Sequence, residues 1–102
     1  MNTMSTKIFP IGHDYVYGRF AKELRKERVA IQKQDDKTYY LAYMNSIHPI
    51  GIVGWMTISE GHVRLKTDYV RANFRGQGIY SELFKSRLII IFRALNPSEL
   101  GS

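Results

Sequence analysis

In the segment DYVYGRFAKELRKER, residues 14–28, the apolar positions Val16, Phe20 and Leu24 recur every four residues with charges between them. That is the period of an amphipathic helix. It predicts a helix over 14–28 that starts near Tyr15, with Asp14 as its N-cap. Ahead of it, Lys7 to Ile11 predicts a short strand, and Pro10, which has no N–H to give a ladder, confines that strand to a sheet edge.

After residue 28 the period changes to two. Val29 to Gln32 and Thr38 to Met44 predict strands, split by the turn residues Asp35 and Asp36. Asn45 to Pro49 predicts a turn, and Ile50 to Ser59, IGIVGWMTIS, the next strand. Glu60 and Gly61 connect it to His62–Val70, in which Val63, Leu65, Thr67 and Tyr69 are expected to share one face. Arg71 to Gly78 then leads into a helix from Ile79 to Leu95, whose wide apolar face is expected to carry Leu83, Phe84, Leu88, Ile91, Phe92 and Leu95. The β-branched run Ile89 to Ile91 also suits a strand, and Asn96 with Pro97 ends the element in either case. The fold class is therefore α+β: a mainly antiparallel sheet of three to five strands, an N-terminal amphipathic helix and a long helix after a glycine turn.

At 102 residues the chain has room for one domain, expected over 1–97, with a tail at 98–102 that ends in Gly-Ser. A hydrophobic fraction of 44% argues against disorder. The longest apolar run, Leu88 to Phe92, is far short of the ~18 residues that cross a bilayer. The opening MNTMSTKIF lacks the apolar stretch of a signal peptide, so a cytoplasmic location without membrane contact is expected. The absence of cysteine excludes disulfides and thiolate zinc sites, and no metal is expected.

A net charge of +6 favours an anionic partner: nucleic acid, a phosphorylated cofactor or an acidic protein surface. The basic residues are dispersed, with no block of the kind that marks a nucleic-acid tail. Most of them read as solvated surface. Those near the glycine turn are the exception.

That turn lies in NFRGQGIYSELF, residues 73–84, where a strand stops and an amphipathic helix begins. The first turn of a helix has unpaired N–H donors and the positive end of the macrodipole, which suits phosphate. Glycines at 76 and 78 carry no Cβ to keep an anion away, and Arg75 adds a charge able to pair with it. The plain alternative is a turn and nothing more. Two other phosphate loops are excluded: a dinucleotide fingerprint needs glycine where Ser81 stands, and no Gly-Lys-Ser/Thr occurs.

The segment 51–84 resembles the GNAT superfamily of acyl-CoA-dependent N-acyltransferases, in which a hairpin and strand lead into a pattern close to V-x-P-x-Y-R-G-x-G-I-G. Val70, Phe74, Arg75, Gly76, Gly78 and Ile79 match it, and Gly54-Trp55 resembles a step common in the preceding strand. Ala72 stands where proline is common. Tyr80 stands where glycine or alanine is usual, and the resemblance implies that it would crowd the pyrophosphate of a bound coenzyme A or extend over it.

The resemblance implies an acetyl-CoA-dependent N-acetyltransferase. Arg75 and Gly76, with the N–H groups of Gln77, Gly78, Ile79 and Tyr80, would hold the coenzyme A pyrophosphate. Tyr69 and Val70 would pair with pantetheine, and an amine acceptor, small molecule or protein, would attack the thioester directly. Asp68 and Glu60, on or beside the strand that faces the acetyl group, are the candidate bases.

The same resemblance implies a further strand, helix and hairpin after Leu95, the later helix often with a tyrosine that protonates the thiolate. The chain stops about where these begin. It is expected to be a minimal or degenerate relative, a truncated one, or half of an assembly that a second chain completes, most simply a homodimer. The alternatives in other classes are an inactive acyl-CoA- or protein-binding module and a small basic nucleic-acid-binding domain, in which aromatics interleave with Arg64, Lys66 and Arg71.

Overall fold

Four antiparallel strands in the order β1-β2-β3-β4 make one sheet, with a helix on each face, in a computed structural model that describes residues 7–95. The elements are β1 (Ile8–Ile11), α1 (His13–Lys26), β2 (Thr38–Asn45), β3 (His48–Ser59), β4 (His62–Val70), a 3-10 turn (Ala72–Phe74) and α2 (Ile79–Leu95). This is the expected α+β class. Pro10 lies on an edge strand opposite Leu41, as its missing donor requires. The expected stop at Asn96 and Pro97 and the tail at 98–102 lie outside the described residues.

Alternation along β2 and β3 divides the core in two. Tyr40, Ala42 and Ile52 meet Val16, Phe20 and Leu24 of α1, while Leu41, Val53 and Trp55 meet Ile79 and Leu83 of α2. Each helix thus buries one apolar stripe on one sheet face. Among the described residues no helix is long and apolar enough to cross a membrane.

Four sequence expectations are corrected. Helix α1 begins at His13, and its N-cap is Gly12, whose carbonyl accepts from the Val16 N–H at 3.2 Å. Asp14 lies in the first turn, where its charge complements the helix dipole without a capping bond. Val29 to Gln32 is not a strand. The segment joins no ladder of the four-stranded sheet, although it runs beside β4. Side chains meet its carbonyls instead: the Thr67 hydroxyl donates to Ala30 at 2.7 Å and the Tyr40 hydroxyl to Gln32 at 3.4 Å.

The third correction concerns β4. Gly54 pairs with Lys66 but Ile52 with Tyr69, so Val53 stands opposite two residues, Thr67 and Asp68. This is a β-bulge, and Thr67 carries the left-handed φ of +61° within it. Val63 packs on the α2 side, whereas Tyr69, past the bulge, joins the α1 cluster. A shift of one residue changes faces.

Helix α2 buries Ile79, Leu83, Ser86 and Arg87, and leaves Leu88, Phe92 and Leu95 between 42% and 48% exposed. The inward stripe is therefore not the most apolar one. Arg87, fully buried, is accommodated because its Nη1 donates to the Gly54 carbonyl at 3.1 Å and both terminal nitrogens meet Asp68.

Candidate functional site

At the C-terminal end of β4 the chain turns through Ala72–Phe74 and then through two glycines into α2. Gly76 has φ +80° and Gly78 φ +81°, a region where side-chain-bearing residues are strained. Built at either glycine, a Cβ would meet nothing within 4 Å. The glycines answer a backbone requirement and open the loop to solvent; they do not relieve crowding.

The first intrahelical bond of α2 runs from the Glu82 N–H to the Gly78 carbonyl at 3.1 Å. The N–H groups of Ile79, Tyr80 and Ser81 therefore precede the ladder at the positive end of the helix. A cavity of about 230 Å³ lies here, lined by Val70, Phe74, Arg75, both glycines, Ile79, Tyr80 and Ser81. A neighbouring groove of about 320 Å³ shares Val70, Arg75 and Tyr80 with it and continues past Asp68, Tyr69, Glu27 and Val29. Together they run along the outer side of β4, the sheet edge.

The predicted cofactor residues are thus brought together, with different roles for their side chains. Ile79 and Val70 are core residues, 5% and 8% exposed, and offer only backbone. Tyr80 leans back along β4, and its hydroxyl donates to Asp68 at 2.8 Å. Burial raises its pKa, and the hydrogen bond to Asp68 raises it further.

Arg75 is engaged within the protein. Its Nη2 lies 2.7 and 2.8 Å from the two Glu27 oxygens, and its Nε donates to the Val70 carbonyl at 2.7 Å. The hydrogen bond to Glu27 raises the Arg75 pKa, and the one from Arg75 holds Glu27 below the usual carboxylate range. Both side chains are more than a third exposed, so water screens the pair and its contribution to stability is small. It is an exchangeable contact.

Tyr69 stands between two such pairs. Its hydroxyl lies 3.2 Å from both Glu23 and Glu27, and its one proton is shared between them. Burial, then the two carboxylates, push its pKa up to about 12. On the far side Arg71 grips Glu23 with Nε at 3.0 Å and Nη2 at 2.9 Å, and stacks its guanidinium over Phe20 at 4.6 Å. Glu23 and Glu27 are one helical turn apart on α1, and Arg71 and Arg75 have the same spacing after β4. Sequence reasoning missed the two glutamates, and the matched spacing was the signal available for them.

The two predicted bases separate. Asp68 is in the groove, but its carboxylate is held by Arg87 and Tyr80. Glu60 lies in the β3–β4 turn, at the other end of a nine-residue strand, roughly 25 Å away at ~3.3 Å per residue. Among the described residues no group of three or more His, Asp or Glu side chains could hold a metal ion.

No protein-family model matches the chain, and no curated protein matches its sequence.

Proposed function

We propose that this chain is an acetyl-CoA-dependent N-acetyltransferase, resembling the GNAT superfamily, that passes an acetyl group to an amine. One observation carries the reading: two left-handed glycines open the N-terminus of α2 to a cavity beside the free edge of β4. A diphosphate fits the N–H groups from Gln77 to Tyr80, with Arg75 and Gly76 beside them. An extended pantetheine would add to the Tyr69–Val70 edge as a strand, where a main-chain N–H would polarise the thioester carbonyl. Acetyl-CoA supplies the activated acyl group. The chain's own residues orient it and receive the amine.

The test is thermal unfolding of the purified chain with coenzyme A, with a short DNA duplex as control. At ligand ~100-fold above the dissociation constant, coenzyme A is expected to stabilise the protein by about 2.7 kcal/mol. A melting curve that coenzyme A leaves unchanged and DNA shifts would replace this reading with the nucleic-acid one.

A further inference from the structure

Gly18 stands in the middle of α1, exposed on the face turned away from the sheet, where glycine weakens a helix relative to alanine. Nothing inside the protein accounts for it. Its φ is not left-handed, and a Cβ built there meets nothing within 4 Å. What the bare Cα leaves is room for something outside to come close to the helix backbone.

Around Gly18 the face is basic. Tyr15, Arg19, Lys22 and Lys26 recur at four, three and four residues, one stripe about 17 Å long at ~1.5 Å per residue. Arg25 lies beside it, two turns on from Gly18, and all four cations are exposed. Arg19 stacks over Tyr15 at 5.3 Å. Arg25 stacks over Tyr17 at 5.8 Å and donates to its hydroxyl at 2.9 Å, so both guanidiniums are held in place and keep their charge. Lys22 and Lys26 make no side-chain hydrogen bond or ion pair among the described residues. The helix's own glutamates do not neutralise the stripe, because Glu23 is taken by Arg71 and Glu27 by Arg75. Asp14, at the start of α1, is the acidic side chain that remains. At the Lys26 end begins a cavity of about 440 Å³, lined also by Asn73 and Phe74.

We propose that this outer face of α1 docks the phosphodiester backbone of a nucleic acid, with Gly18 as the point of closest approach. Cations repeated along one side match a chain of repeated phosphates, and the ring and amide in the adjoining cavity suit a base. A lipid surface would need an apolar face to enter, and that of α1, Val16, Phe20 and Leu24, is buried on the sheet. The face is separate from the glycine loop at the start of α2, and the proposal holds whether or not coenzyme A binds there.

The test is fluorescence anisotropy of the full chain with a labelled single-stranded RNA and with a DNA duplex of the same sequence, from ~50 to ~200 mM salt. Four phosphate contacts are expected to give a double-logarithmic salt slope of about −3 on the single strand, and a somewhat steeper one on the duplex. The tighter of the two identifies the source of the phosphates. Lys22→Ala is expected to reduce the slope by about 1. Gly18→Gln is expected to raise the melting temperature, because glutamine favours a helix, and yet to weaken binding about tenfold by filling the point of approach.

No binding of either nucleic acid at the lowest salt, or a Gly18→Gln variant that binds as the native chain does, overturns the proposal. Polyglutamate that displaces the RNA at equal or lower concentration also overturns it, and makes the face a site for an acidic protein.

Discussion

Arg87, on the buried face of α2, meets both carboxylate oxygens of Asp68 on β4, and a third donor contact ties it to the Gly54 carbonyl. The arginine is fully buried and the Asp68 side chain 30% exposed, so the two partners are not equivalent. Removing Asp68 leaves a charge with no water; removing Arg87 leaves a carboxylate that water reaches.

Asp68→Ala is therefore expected to destabilise the chain by about 3 kcal/mol, as for a broken buried pair. Arg87→Met is expected to cost less, and the double variant to return to the level of Arg87→Met. Urea unfolding of the three variants checks the order, and the reverse order would show that Arg87 packs chiefly through its methylenes.

At Gly78 the left-handed φ sets the expectation. Alanine is expected to cost about 1–2 kcal/mol through backbone strain alone, since its Cβ meets nothing. Asparagine, which tolerates this conformation, is expected to cost less. Both should weaken coenzyme A binding by occupying the approach to the loop. An asparagine variant with native affinity would reduce the glycine to a turn former.

The pH dependence follows from two tyrosines. Burial raises Tyr40 and Tyr69 to about 12, so in the fold each keeps its proton above the ordinary value of 10.0. Below pH 10 both states are protonated and the contribution is complete; between about 10 and 12 the unfolded chain ionises first and stability falls. Urea midpoints should decline over this window, less steeply for Tyr69→Phe. A flat profile would contradict the burial of both hydroxyls.

Self-association is the fourth expectation. The edge of β4 ahead of Thr67, away from Tyr69 and Val70, and the exposed Leu88, Phe92 and Leu95 on α2 offer a surface suited to a two-fold mate. Light scattering at ~100 μM is expected to give twice 11.9 kDa, and Leu88→Glu to halve it. A native monomer that binds coenzyme A tightly would count against the dimer.

Much of this fold was legible because burial on one side writes a period into a chain. The four-residue spacing of Val16, Phe20 and Leu24, all buried on one sheet face, was enough for α1. The pattern from Thr38 to Met44 was enough for β2, which runs one residue further, to Asn45. What escaped were effects set by distant neighbours. Val29 to Gln32 has a strand's composition but meets β4 through the Thr67 side chain and not through a ladder, and the Thr67 bulge has no glycine to announce it. At the site, the glycine turn was legible as local backbone chemistry. The partners of Arg75 and Arg71 lie 48 residues away on α1, and no local pattern encodes that distance.

The bulge also determines which length changes β4 tolerates. Lys66 and Thr67 both precede Asp68 on the side of the sheet away from α2, since Lys66 pairs with Gly54 beside Tyr40 and Thr67 bonds to Ala30. Excising Thr67 would restore strict alternation, with Asp68 still toward Arg87 and Tyr69 still toward α1. Excising any residue between Val63 and Lys66 would instead turn the strand's beginning inside out. The strand thus has one link in its middle, its residue of left-handed φ, whose loss leaves every other side chain on its own face and costs the bond to Ala30.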